Sequence, residues 1–179
     1  MTRSGAVNVI SGLRGGWCVT MTTLGNERGG TATTQHVQHE KQVRAVLEGV
    51  RKLGREKDPL VRQVLAWAWT HVQVMRYQGL RTLSDAVARK EPGPASALNK
   101  MFWSEYAQRF AEVVVNIRGA DSMVMPDQEP GDYEPDRWQR SFLGTRSATI
   151  WGGTAQVPCN IVGERVLGLP KEPAPGNDR

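Results

Sequence analysis

The apolar residues in the middle of the chain recur at helical spacing, and this periodicity constrains the fold more than any other feature. Asp58 followed by Pro59 predicts the start of one helix, because aspartate caps helix N-termini and proline fits the first helical position. Such stripes bury themselves against one another, which predicts an all-α helical bundle. The two clearest stripes are Val61, Val64, Leu65, Ala68, Val72, Met75 and Leu98, Met101, Phe102, Tyr106, Phe110, Val113, Val114, Ile117.

Turn-forming residues divide the rest of the chain into further helices. A long first helix is predicted from Trp17, and Gly29-Gly30 is expected to interrupt it, because glycine inside a helix costs about 1 kcal/mol relative to alanine. A fourth helix is predicted at about residues 137–149. It is followed by a Gly152-Gly153 turn and a short fifth helix over residues 154–167.

The two ends of the chain differ from this helical pattern. Residues 6–10 are β-prone and precede glycines, so they predict one orphan β-strand before the bundle. A single strand leaves its ladder groups unpaired and cannot form a domain. We therefore expect a remnant of a β domain at 1–14, the helical bundle at 15–170, and a disordered tail rich in proline at 171–179.

Composition limits the class of protein. The 179 residues carry a net charge of +5, but the basic residues are scattered and form no block, which argues against nucleic-acid binding. A CoA thioester is an equally good anionic partner. No apolar run is long enough for a transmembrane helix and no signal peptide is recognised, so a cytoplasmic protein without membrane contact is expected. Cys18 and Cys159 lack metal-ligand spacing and are expected to be core thiols.

Three separated motifs carry a family resemblance over roughly residues 7–170. Together they closely resemble the C-terminal domain of acyl-CoA dehydrogenases, and the second one resembles the bacterial branch that acts on bulky, often steroid-derived acyl-CoA thioesters. The three motifs are Gly15-Gly16-Trp17 leading to Asn26-Glu27-Arg28-Gly29-Gly30, then Gly93-Pro94-Ala95-Ser96 with Lys100, Ser104 and Glu105, and finally Ile150-Trp151-Gly152-Gly153-Thr154 with Asn160-Ile161-Val162-Gly163-Glu164-Arg165-Val166-Leu167-Gly168-Leu169-Pro170.

The resemblance implies an oxidoreductase that is only partly present. In that family an N-terminal helical domain and a middle β domain come first, and FAD lies between the middle sheet and the C-terminal bundle. We therefore expect a C-terminal fragment, from a truncated reading frame or a split gene, that is inactive by itself. The implied partners are FAD, an acyl-CoA substrate, electron-transfer flavoprotein as electron acceptor, and further subunits in a homo- or hetero-oligomer.

The chemistry of α,β-dehydrogenation requires a base for the α proton and a donor to the carbonyl oxygen. Many relatives place a glutamate in the turn before the last helix, where this chain has Gly152. A subgroup resembling the long-chain and isovaleryl enzymes places the base in a Glu-Arg pair on the first helix, which matches Glu27 and Arg28. Glu27 and Gly152 are therefore predicted to be catalytic, with the peptide N–H of Gly152 as donor, and Arg28 is predicted to orient Glu27 or to bind the CoA phosphates.

The last motif is predicted to contact the flavin. By resemblance, Trp151 lies beside the ring system, and Thr154 and Gln156 contact the cofactor at the start of the last helix. The structural alternatives are a core tryptophan, an ordinary helix N-cap at Thr154, and a turn glycine of positive φ at Gly152. The chain departs from the family at residues 157–159, which puts cofactor affinity in doubt, although a proline in the first helical turn should be tolerated.

Two further interpretations remain open at this stage. Glu27 is alternatively a solvated side chain paired with a basic neighbour, as most helical glutamates are. The whole chain is alternatively a non-catalytic partner subunit or inactive fragment that packs on a full-length subunit. His36, His39 and Glu40 share a helical face, but without a further ligand we predict no metal site there.

Overall fold

The computed structural model describes residues 15–90, 96–125 and 134–171, and every regular element in these ranges is helical. This confirms the all-α fold class. The predicted strand at 6–10 and nearly all of the predicted tail lie outside the described residues. The α-helices are α1 (Gly16–Lys52), α2 (Pro59–Val87), α3 (Ser96–Arg118), α4 (Arg137–Thr145) and α5 (Gln156–Arg165), with 3-10 turns at Gly119–Ser122 and Arg146–Thr149.

The first three helices enclose the core, because each buries one apolar stripe. Both predicted stripes, on α2 and α3, contribute to this core, and α2 lies against both α1 and α3. Tyr106 is at the centre, stacked on Trp67 at 5.5 Å and on Phe110 at 5.5 Å between ring centroids. The fully or almost fully buried members are Val43, Val46, Val50, Val61, Leu65, Ala68, Val72, Met75, Tyr106, Phe110, Val113, Val114 and Ile117.

The long first helix is continuous, so the predicted interruption at Gly29-Gly30 is wrong. Side chains of residues 24–31 lie outside the described residues. The close approach that glycine permits is found instead on the neighbouring helix. A Cβ at Gly79 of α2 would lie 2.7 Å from the carbonyl oxygen of Ala32 and 3.3 Å from Cα of Thr33. Packing of α1 on α2 offsets the low helix propensity of its glycines.

The boundary of α2 follows the sequence prediction. Asp58 is the N-cap and Pro59 the first helical residue, and the Asp58 carboxylate accepts hydrogen bonds from the backbone N–H groups of Leu60 and Val61. Arg55 donates to Asp58 at 2.8 Å and to the carbonyl oxygen of Ile117 at 2.7 Å. The Arg55 hydrogen bond, helped by the two backbone N–H groups, lowers the pKa of Asp58. One arginine thus ties the α1–α2 loop to the end of α3.

Both cysteines are exposed, so the expectation of core thiols is wrong. Cys18 lies near the start of α1, and Cys159 lies on α5. The Cys159 Sγ atom is 3.2 Å from the Sδ atom of Met101 on α3. No helix in the described ranges combines the length and the apolar character needed to cross a membrane.

Candidate functional site

The turn between the 3-10 turn at Arg146–Thr149 and α5 has a backbone that requires glycine. Gly152 has φ +64° and Gly153 has φ +101°, and both values lie in the left-handed region that disfavours side chains with a Cβ. A Cβ at Gly152 would meet no atom within 4 Å, so the selection for glycine at 152 is conformational rather than steric. This agrees with the prediction of a turn glycine of positive φ.

The residues around this turn form an exposed aromatic and polar surface, which we call the Trp151 surface: Trp151, Gly152, Thr154 and Gln156. Trp151 is 68% exposed, so it is not the core tryptophan of the alternative interpretation. Ala155 rather than Thr154 is the N-cap of α5, and no side chain caps the helix. The N-cap alternative for Thr154 is therefore wrong. The structure brings these four predicted residues together on one surface.

The Trp151 surface is anchored to the middle of α3 by two residues that the sequence analysis did not single out. Gln108 Nε2 donates to the carbonyl oxygen of Arg146 at 3.1 Å and to Thr149 Oγ1 at 3.0 Å. Arg146 Nη2 donates in return to the carbonyl oxygen of Gln108 at 2.9 Å, and Arg146 Nη1 pairs with Glu112 at 2.6 Å. These partners lie 34 to 41 residues apart in sequence, so no spacing pattern could have revealed them.

The unusual residues 157–159 leave the last helix intact. Pro158 is the third residue of α5 and is buried, as expected for a position whose N–H would have no helical partner. α5 packs on α3, where Cys159 meets Met101. The start of α5 is thus held on both sides, by Gln108 and Arg146 before the turn and by this contact after it.

Residues 14–167 match the family of the acyl-CoA dehydrogenase C-terminal domain. The chain belongs to the acyl-CoA dehydrogenase family. It is 35% identical over 170 residues to the acyl-CoA dehydrogenase IpdE1 of Mycobacterium tuberculosis, an alignment that covers 95% of this chain and 42% of that protein. Identity to IpdE1 of Mycolicibacterium smegmatis is 33%, covering 88% of this chain and 38% of that one. The chain spans less than half the length of these relatives.

A solved structure confirms the fold of this acyl-CoA dehydrogenase domain. The steroid ACAD Tcur3481-Tcur3483 superposes with a TM-score of 0.75, covering 88% of this chain and 41% of that one at 23% sequence identity. The all-α bundle is therefore the fold of an acyl-CoA dehydrogenase C-terminal domain.

The two acyl-CoA dehydrogenase site residues predicted on the first helix lie in α1, but their side chains lie outside the described residues. Glu27 and Arg28 belong to the first half of that helix. α1 and α3 run parallel, since His39 faces Tyr106 at 5.0 Å and Arg55, just after α1, reaches the carbonyl oxygen of Ile117 near the end of α3. Continued towards the N-terminus, this register puts position 27 at the level where α3 begins.

The second motif of the family resemblance supplies buried polar groups near the start of α3. Asn99, Lys100 and Ser104 are all buried, whereas Glu105 is exposed. Ser104 Oγ donates to the carbonyl oxygen of Met101 at 3.1 Å, so it is satisfied within its own helix. The first residues of this motif, 93–95, lie outside the described residues.

His39 of α1 has a structural role in this acyl-CoA dehydrogenase domain. His39 is buried against Tyr106 and its Nδ1 pairs with Gln42 Oε1 at 3.0 Å, while Glu40 pairs with Arg44 at 2.7 Å. Across the parts of the chain that the structure describes, no three His, Cys, Asp or Glu side chains are grouped as metal ligands.

Proposed function

We propose that this chain is the C-terminal, helical part of an FAD-dependent acyl-CoA dehydrogenase that oxidises a bulky acyl-CoA thioester. The Trp151 surface carries the proposal. An exposed tryptophan beside an uncapped helix start, on a turn anchored by Gln108 and Arg146, is costly to leave in water and suits a flat, polar ligand.

The residues of the Trp151 surface suit one side of a flavin. The indole of Trp151 offers an apolar face for a ring system, and Thr154 and Gln156 offer exposed hydroxyl and amide groups at a helix N-terminus, where the dipole favours anionic ligands. When bound, FAD would accept a hydride equivalent from the β carbon of the substrate. The Trp151 surface supplies one side of the cofactor site, so the remaining contacts to the cofactor come from other residues or from a partner.

We assign Glu27 as the base that removes the α proton of the thioester. A carboxylate next to an apolar acyl chain binds its proton more tightly and becomes a stronger base. The α1–α3 register supports this role, because it puts position 27 at the same end of the bundle as α5, which meets α3 at Met101. Gly152 is assigned as the backbone donor to the thioester oxygen, and Arg28 as the residue that orients Glu27 or binds the CoA phosphates.

The bulky, steroid-derived substrate class rests on two supports. One is the third-helix motif around Lys100 and Ser104, and the other is the fold neighbour, which is a steroid ACAD. Electron-transfer flavoprotein as electron acceptor, assembly with further subunits and a cytoplasmic location remain predictions.

FAD binding by the purified chain tests the proposal. We expect flavin absorbance to co-elute with the protein in gel filtration after incubation with FAD. Trp151→Ala should lower the affinity for FAD by about tenfold, since an aromatic contact of this size contributes roughly 1–1.5 kcal/mol. Trp69→Ala is the matched control, because Trp69 is a partly exposed tryptophan on α2 that does not belong to the Trp151 surface.

The alternative function is that of a non-catalytic subunit that only packs on a full-length partner. It predicts that no flavin is retained, or that Trp151→Ala and Trp69→Ala behave alike. Equal retention by the two variants would remove the Trp151 surface from cofactor binding, and the absence of retained flavin would support the non-catalytic alternative.

A further inference from the structure

A small open pocket, which we call the α1–α4 pocket, lies between the middle of α1 and the first half of α4. Both helices pack on α3, and Trp138, which packs against the core, forms part of the pocket wall. The volume of the pocket is about 270 Å³, which corresponds to several water molecules at about 30 Å³ each. The lining residues are Gln38, Lys41, Gln42, Ala45, Arg137, Trp138 and Ser141.

The residues that line the pocket share one face of each helix. Gln38, Lys41 and Ala45 follow one another at steps of three and four residues along α1. Arg137 and Ser141 are four residues apart on α4. The spacing therefore brings amide, hydroxyl and cationic groups from two helices around one space.

The lining of the α1–α4 pocket is positively charged. Among the described residues that line it, Lys41 and Arg137 are charged and none is acidic. Neither forms an ion pair with another described residue. Arg137 Cζ lies 4.2 Å from the centroid of the Trp138 ring, so the ring supports one face of the guanidinium while its edge N–H groups can still donate.

The described acidic side chains of α1 and of the segment that leads into α4 do not neutralise this charge. Three of them are held in ion pairs: Glu40 with Arg44, Glu134 with Arg140, and Asp136 with Arg118. The fourth, Glu48, lies two turns beyond Lys41, about 10 Å along the helix axis. Both cations of the pocket are therefore available to a ligand.

The pocket also offers neutral hydrogen-bond donors. The Oε1 atom of Gln42 accepts from His39 Nδ1 at 3.0 Å, so the amide nitrogen of Gln42 is left to donate elsewhere. Ser141 adds a hydroxyl and Gln38 a second amide. Two cations with neutral donors beside them suit a phosphate group, which carries a charge of about −1.5 to −2 at pH 7 and three acceptor oxygens. A carboxylate, with one charge and two oxygens, would use fewer of these donors.

We infer that the α1–α4 pocket binds the phosphate group of a small phosphate ester, such as a sugar phosphate. Lys41 and Arg137 hold the phosphate oxygens from the two helices, and Gln42 and Ser141 donate to the remaining oxygen positions. Trp138 offers an apolar surface to the sugar, and the volume of the pocket leaves room for it. The inference does not depend on the proposed function, because no residue of the Trp151 surface takes part.

The test titrates the full chain at low salt with ribose 5-phosphate, inorganic phosphate and ribose, and follows the backbone amide signals by two-dimensional NMR. We expect ribose 5-phosphate to bind with a Kd of about 1 mM or tighter, with shifts concentrated at residues 38–45 and 137–141. Added salt should weaken this binding, because it screens the charges. Ribose, which lacks the phosphate, should cause no shifts there.

Inorganic phosphate identifies the source of the bound group. Weaker binding than that of ribose 5-phosphate at the same residues would assign the pocket to an ester, as inferred. Tighter binding of inorganic phosphate would assign it to the free ion and overturn the choice of an ester.

Variants then locate the binding site. Lys41→Gln and Arg137→Gln should each weaken ribose 5-phosphate by roughly tenfold, because each removes a charge-assisted hydrogen bond. Lys57→Gln and Arg140→Gln are matched controls, because both residues are exposed and neither lines the pocket. Circular dichroism checks that each variant is folded.

Three further results would contradict the inference. Ribose 5-phosphate causes no shifts or the same shifts as ribose; the control variants weaken binding as much as the pocket variants; or the shifts centre on the Trp151 surface. Flavin retention is measured separately and involves other residues, so failure here is distinguishable from failure of the proposed function.

Discussion

Position 152 determines where a catalytic carboxylate can be placed in this chain. With φ +64°, any residue with a Cβ at Gly152 would carry about 1–2 kcal/mol of backbone strain. The turn therefore favours glycine, and because glycine carries no carboxylate, a base has to come from another position. Glu27, on α1, is the residue whose motif matches that role.

Replacing Glu27 with Gln should abolish dehydrogenation in the assembled enzyme while flavin remains bound. Loss of a general base lowers turnover by about 10²- to 10⁴-fold, because the amide cannot accept the α proton. Glu48→Gln is the control, since Glu48 is an exposed glutamate on the same helix. Turnover is followed by reduction of an electron acceptor. Equal rates in the two variants would exclude Glu27 from the mechanism.

The residues of the site differ in how far the sequence could predict them. The turn at Gly152 was predictable, because glycine pairs indicate positive φ locally. The exposure of Trp151 agrees with the family resemblance but does not follow from the local pattern, since a tryptophan in a bundle is usually buried. The roles of Gln108 and Arg146 could not be predicted, because these polar residues form their hydrogen bonds only when α3 and the turn meet.

Among the elements, α1 and α2 approach each other closely at Gly79. The missing side chain lets the backbone of α2 approach the carbonyl oxygen of Ala32. This contact lies shortly after Glu27 and Arg28 in α1, so it fixes the position of the helix that carries the proposed base.

Gly79→Ala should therefore destabilise the protein by about 1–3 kcal/mol, because the new methyl group would overlap backbone atoms that cannot move independently. Gly49→Ala is the matched control in α1. A Cβ there meets nothing within 4 Å, so helix propensity should raise stability by about 0.5–1 kcal/mol. Urea unfolding measures both. A neutral or stabilising Gly79→Ala would show that the two helices are not held this closely.

Helix boundaries were largely predictable and helix continuity was not. Asp58 and Pro59 act locally, so their cap and start are found where the sequence places them. Gly29-Gly30 lowers the local propensity, yet α1 passes through unbroken. Tertiary packing along α2 outweighs a cost of about 1 kcal/mol per glycine, a contribution that no local pattern reports.

At the scale of the whole molecule, a histidine lies in the middle of the three-helix core. Burial lowers the pKa of His39, against an opposing contribution from its hydrogen bond with Gln42. Tyr106, which faces it, stays neutral because burial raises its pKa. If His39 takes up a proton, neutral Tyr106 therefore offers no negative charge to stabilise the charged ring.

Stability should fall as the pH drops below about 6.5, because the unfolded chain binds a proton at His39 that the folded chain resists. This loss of stability is absent above the pKa of His39 in the unfolded chain. It grows as the pH falls, until the lowered pKa of His39 in the folded chain is reached. Urea midpoints from about pH 8 to about pH 5 measure it, and His39→Gln should flatten the slope. The carboxylates of Asp58 and Asp136, whose pKa values are lowered, lose their contribution only below about pH 4. An equal slope of stability against pH in His39→Gln and in the unchanged protein would contradict the role of His39.

The bonds between Gln108 and Arg146 have an evolutionary consequence. They hold the final turn through atoms outside residues 150–153, so the turn keeps its place whatever chemistry its tip carries. Such a fold can lose an acidic residue from the turn and gain one on α1 without refolding. Evolutionary intermediates without either residue would stay folded although their activity would be low. The position of the catalytic base can change between elements because the fold does not depend on that residue.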